Sequence, residues 1–254
     1  MKQIFLLFLI ASSICFGQTK YDEYEKLISE ADHYKGIEDF GQAIIKYHEA
    51  LQILTPNSST PFFKLAECAL KFKNTSLADE WIRKGVSQGG AQMEYLRKYK
   101  GFENIQEMEF YKAIISDYNS LRQKYFSTLE NIDIYLEIEE LIAKDQLVRK
   151  TDDYLDLPSE DRNELMRKVD SVNVDKLMKI TKEHGWQERA WIILWHQRGT
   201  YDQDNYVWNY FKPLIDKEIE EGKISRHFWG FFDGWKKMIK SGNLERPEKK
   251  KAKE

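Results

Sequence analysis

The sequence predicts an all-α protein, with two helical hairpins stacked on a C-terminal helical bundle. Three observations carry that prediction. Gly and Pro are scarce, at 13 and 5 of 254 residues, which disfavours a turn-rich β protein. Apolar residues recur at helical spacing along most of the chain. A two-helix pattern repeats at an offset of 35 residues.

The first 17 residues read as a signal peptide. Met1 and Lys2 form a short positive region. An apolar run from Ile4 to Ile14 follows, interrupted by Ser12 and Ser13. Cys15 and Gly17 then place small residues where a signal peptidase reads. The run is short for a membrane span, so no transmembrane span is expected after cleavage. Ile14 stands where a lipid-anchored protein would carry a small residue before Cys15, which argues against lipidation. The mature chain is therefore expected to be exported, either periplasmic or secreted. Cleavage removes Lys2 and no acid, taking the net charge from −3 to −4. That charge offers no basic field for nucleic acid. Cleavage also leaves Cys68 as the single cysteine, so no internal disulfide can form. Cys68 lies in a helical pattern and reads as a small buried hydrophobe.

Residues 18–91 hold the repeat. Leu27, Ala31 and Tyr34 share one helix face in the first copy. Phe62, Ala66 and Ala69 match them in the second. The partner helices carry Ala43, Tyr47 and Ala50, then Ala78, Ile82 and Gly85. Small residues let facing backbones approach, and the larger apolar residues fill the seam. Pro56 ends the first copy, and Gly89 with Gly90 ends the second. Phe40, Gln42, Ala43, Ile44, Tyr47, Glu49, Ala50, Leu51 and Pro56 are the residues by which this region resembles the tetratricopeptide repeat family. The second copy departs at Gly85, where the family has a small alanine, and in lacking a proline directly after it. The resemblance implies a groove for a protein or peptide partner. The alternative is that the hairpins pack against the rest of the chain. Residues 92–130 read as connecting helices that cap the stack.

Residues 131–241 continue the helical pattern. Ile132, Ile134, Tyr135, Ile138, Leu141 and Ile142 form an apolar stripe running to Val148. Residues 151–159 read as a loop. A long helix from Leu165 to His184 ends at Gly185. Ala190 to His196 is a short apolar helix. Asn205 to Glu221 is the next, interrupted by Pro213 and ended by Gly222, and Ser225 caps a last helix reaching Lys240. Six of the seven Trp fall between Trp186 and Trp235, as a helical core or as a ligand platform. Residues 242–254, including the basic run Lys249 to Lys251, read as a disordered charged tail.

Polar residues stand out in this apolar half. Asp145, Gln146 and Arg149 share one helix; Asp170 and Asn173 share the next, which His184 ends; His196 and Gln197 close the short apolar helix after it. Converging, they could bind an anion or move protons. The alternative is a buried network that fixes helix register. The spacing of His184 and His196 does not suggest a metal site, and no metal or cofactor is expected. No phosphate loop, Gly-x-Ser-x-Gly or Cys pair is present, so no reaction is assigned.

The same residues, with Gly185, Trp186 and the run Trp191 to Gln197, resemble a bacterial family catalogued as a domain of unknown function (number 6624), over roughly residues 130–240. The family usually carries an Asp-Arg pair in its last helix, where this chain has Asp233 and Gly234. It also often ends in a Tyr-Gly-Thr-Gln-like tail, replaced here by Lys and Glu. The resemblance names the domain and assigns it no activity. The functional expectation is an exported interaction or assembly module. The alternative is a small-ligand or hydrolytic domain using Asp145, Arg149, Asp170 and His196.

Overall fold

The computed structural model describes residues 19–151 and 155–241. The expected signal peptide and charged tail lie outside the described residues. Among those described, the regular structure is helical, as expected.

Four helices open the chain: α1 (Lys20–Gly36), α2 (Phe40–Ile53), α3 (Thr60–Lys71) and α4 (Thr75–Ser87). α1 packs on α2, α3 on α4, and α2 on α3. α5 (Met93–Lys98), a 3-10 turn (Lys100–Ile105) and α6 (Glu109–Phe126) follow, and α6 lies against α4.

The two hairpins match down to their turns. Glu38 and Lys73, again 35 apart, both take the left-handed conformation, with φ of 62° and 60°. Asp39 and Asn74 follow as N-caps, accepting from the backbone N–H of Gln42 and of Leu77. The backbone N–H of Asp39 donates to Tyr34 O, and that of Asn74 to Ala69 O. Ala31, Ala43, Tyr47, Ala50, Phe62, Ala66, Ala78 and Ile82 are buried as the pattern requires. Leu27 and Tyr34 are only half-buried, because α1 is the outermost helix of the stack. Gly85 has a packing reason: a Cβ there would sit 2.4 Å from the buried ring of Phe63. Cys68 lies in this core, and burial pushes its thiol up to about 11.

The C-terminal half builds a second core from α7 (Ile132–Val148), α8 (Ser159–His184), α9 (Trp191–His196), α10 (Tyr206–Glu220) and α11 (Gly230–Lys240). Ile134, Ile138 and Leu141 face inward, but Ile132 is exposed at the first turn of α7. α8 starts at Ser159, earlier than expected. Pro158 sets its entry, and Glu160 and Asp161 favour the positive end of its dipole. α11 starts at Gly230, later than expected. Ser225 does not cap it; its hydroxyl donates to Glu25 of α1 and accepts from the backbone N–H of His227. Asn205 caps α10, taking the N–H groups of Val207 and Trp208.

α1 meets this second half directly. Arg226 pairs with Asp22, and His227 Nδ1 lies 2.6 Å from Glu25. Asn57, just beyond α2, donates to Glu188. The outer hairpin thus touches the chain's own C-terminal half through the segments before α9 and α11.

Candidate functional site

Three helices bring five of the expected polar residues together. α7 supplies Asp145, Gln146 and, as its C-cap, Arg149; α8 supplies Asp170; α9 ends on His196. α7 packs on both α8 and α9, so the three segments meet although they lie far apart in sequence.

Asp145 is the hub. Its side chain is 4% exposed, in an environment that would normally exclude a charge. Four hydrogen bonds answer that cost. Oδ2 accepts from Gln146 Nε2, Arg149 Nε and His196 Nε2, each at 3.1 Å. Oδ1 accepts from Arg149 Nη2 at 3.1 Å. Burial pushes the carboxyl up, but the bonds from His196 and Arg149 outweigh it and hold Asp145 at about 2. Asp145 is therefore ionised throughout the neutral range.

Arg149 continues the chain by donating from Nη2 to Asp170. Asp170 behaves oppositely: burial raises its carboxyl, and the charges of Arg149 and His196 only partly offset this. The guanidinium lies between the two carboxylates, a geometry suited to its planar fork.

His196 Nε2 lies 3.1 Å from Asp145 Oδ2 and 3.5 Å from Gln146 Nε2, and the nearer, ionised carboxylate, which only accepts, favours the proton on Nε2. The Nδ1 lone pair is then the atom that can take a proton. His196 is not sealed in: 16% of its side chain remains exposed.

The other expected residues lie apart from this group. Asn173 is buried one turn along α8, with no hydrogen bond to the five. Gln197 contributes its backbone carbonyl to Thr200. His184 is exposed and borders cavities at the junction of the two halves, away from His196.

Sequence reasoning missed Arg198. Its Nη1 donates to Trp195 O at 2.7 Å, and its guanidinium lies 4.7 Å from the Trp195 ring centroid. Its Nε is buried with no hydrogen-bond partner. Burial and the charge of Arg149 lower its pKa, with Asp170 opposing. The signal available was its place three residues after Trp195, at the end of the most apolar helix.

Sequence reasoning also missed the junction between the halves. Cavities of ≈ 520, 500 and 430 Å³ lie there, and Glu188 borders all three. Trp186 and Trp191 face this junction, whereas Trp208 belongs to the core. Trp186 also packs against that core, on Phe211 and Phe228.

Among the described residues, no group of three His, Cys, Asp or Glu side chains is placed to hold a metal ion. No helix there is long and apolar enough to cross a membrane. Comparison with family models, curated proteins and solved structures finds no match to this chain.

Proposed function

We propose that this is an exported helical protein whose C-terminal half binds a small polar ligand and moves a proton on it at His196. The reading takes that half as a member of the unknown-function family named above and the hairpins as tetratricopeptide-like. The observation that carries it is the convergence of Gln146, Arg149 and His196 on the buried carboxylate of Asp145, with Asp170 held by Arg149.

The roles follow from the bonds. Asp145 fixes the ring orientation of His196 and carries a charge that stabilises the imidazolium once a proton arrives. Arg149 keeps Asp145 ionised and holds Asp170 in place. Arg198 brings a buried N–H without a partner, a donor suited to a ligand oxygen. A carboxylate or phosphate group fits those requirements.

Calorimetry with acetate and with inorganic phosphate tests the reading. At least one of them should bind the mature protein, and binding should fall at least about tenfold in H196N and in R198Q. Binding to neither anion, or unchanged binding in both variants, contradicts it.

A protein partner on the hairpins is a second reading. It is favoured by paired charges across α1 and α3, Asp32 with Lys64 at 2.7 Å and Lys35 with Glu67 at 2.8 Å, beside the exposed Tyr95. The part of α1 held by Arg226 and His227 is already occupied. A partner captured by the mature chain should be lost in a D32K/E67K variant; retention counts against this surface.

A further inference from the structure

We propose that the aromatic cavity between α1 and the C-terminal helices binds an alkylammonium cation, with Glu188 as its counter-ion. This inference is independent of the His196 site and uses none of its residues.

The cavity, of ≈ 500 Å³, is closed on one side by Tyr21 and Tyr24 of α1. Trp186, from the segment that joins α8 to α9, and Trp191, the first residue of α9, also line it. Rings from both halves of the chain therefore surround one space. Aromatic faces carry the negative end of a quadrupole, and a ring-lined space with a carboxylate is the environment in which an organic cation is best held.

Glu25 and Glu188 border the space with no Lys or Arg beside them, and the one basic lining side chain, His227, pairs with Glu25, so the unmatched charge is negative. Glu25 is already engaged by Ser225 and His227. Glu188 is not matched in the same way. It accepts from the neutral amide of Asn57 and, among the described residues, forms no ion pair. Its neighbour Arg189 pairs with Glu139 instead. Glu188 is solvent-exposed where it borders the cavity, and desolvation still raises its carboxyl against the bond from Asn57 and the charge of Arg189. Glu188 has no ion-pair partner among the described residues, Arg189 acting on it only through its charge, and an ammonium ion in the cavity supplies a closer one.

The phenols preserve this sign. Burial and the charges of Glu188 and Glu25 push Tyr21 up to about 12, and Tyr24 in the same direction, so both present neutral rings. Trp186 adds a polar requirement. Its indole Nε1 is buried without a hydrogen-bond partner, so a ligand bearing a hydroxyl or carbonyl oxygen beside its cation satisfies one more group.

Choline is the probe, and its uncharged isostere 3,3-dimethylbutan-1-ol is the control. Calorimetry on the mature chain should show choline binding, with the isostere at least about tenfold weaker. E188Q, which keeps the size of the side chain and its amide contact, should weaken choline at least about tenfold while the far-ultraviolet dichroism is unchanged. If E188Q folds poorly, W191A takes its place, since that ring is already half-exposed, and it must lose a comparable factor. No choline binding, equal binding of the isostere, or full retention by the folded variant each overturn the proposal.

Discussion

The Nε2 atom of His196 lies 3.1 Å from Oδ2 of Asp145, a carboxylate whose side chain is 4% exposed. The contact joins the end of a short apolar helix to the last turns of α7, and it sets the charge balance of the whole site. Asp145→Asn leaves the shape almost unchanged and removes the charge that Arg149 and His196 share. Because Arg149 keeps Asp170, the cost falls below that of a fully orphaned buried ion, at about 2 kcal/mol. Urea denaturation should show a lower midpoint at an unchanged slope.

The acid limb of stability should carry the signature of the same carboxyl. Asp145 titrates at about 2 in the folded chain, below the ordinary 3.8. Its stabilising contribution is complete above about pH 4 and is lost as pH falls through 2, amounting to about 2 kcal/mol. Asp170 is shifted upward, so its contribution has the opposite sign and grows unfavourable as pH rises through its titration. Unfolding free energies of the wild type and D145N, measured from pH 5 to pH 2, should therefore converge toward the acid end. A gap that stays constant across that range would rule out the charge of Asp145 as its source.

The turns of the hairpins offer a separate test of the repeat. Glu38 and Lys73 hold φ of 62° and 60°, a region where a side chain costs roughly 1 kcal/mol and glycine costs nothing. Both are exposed, so little packing is lost on truncation. Glu38→Gly and Lys73→Gly should each raise stability by about 0.5 kcal/mol, and additively, since the turns sit in different hairpins. Thermal melts of the two single variants and the double variant would measure this; stabilisation by only one would show that the turns are not equivalent, and destabilisation by both would contradict the prediction.

Much of this architecture was legible in the residues. Ala43 and Ala78 announced the hairpin register because close packing demands small residues, and sequence spacing carries that demand. The i, i+4 spacing of Asp145 and Arg149 likewise placed them together on α7. That Asp170 and His196 join them is tertiary, set by how α8 and α9 cross α7, and the polar character of these residues against apolar stripes was the only hint. The same hint misled for His184, which ends its helix on another side. Ser225 looked like a cap because a hydroxyl before an apolar run usually is one; Glu25, distant in sequence, claimed it instead. Arg198 gave only the faint signal of its place after the Trp191–His196 helix and Glu188 gave none, since an N–H or a carboxylate without a partner is defined by what is missing around it.

The most direct test of the central proposal is the imidazole nitrogen spectrum of His196, recorded by long-range proton–nitrogen correlation with and without acetate or inorganic phosphate. In the neutral ring the proton should reside on Nε2, and it should lose that preference in D145N. An anion that binds beside Arg198 should shift the Nδ1 resonance in the wild type and leave that of R198Q unmoved. A proton on Nδ1, or a His196 spectrum indifferent to both anions, would contradict a proton-transfer site and leave the five residues as a network that holds three helices in register.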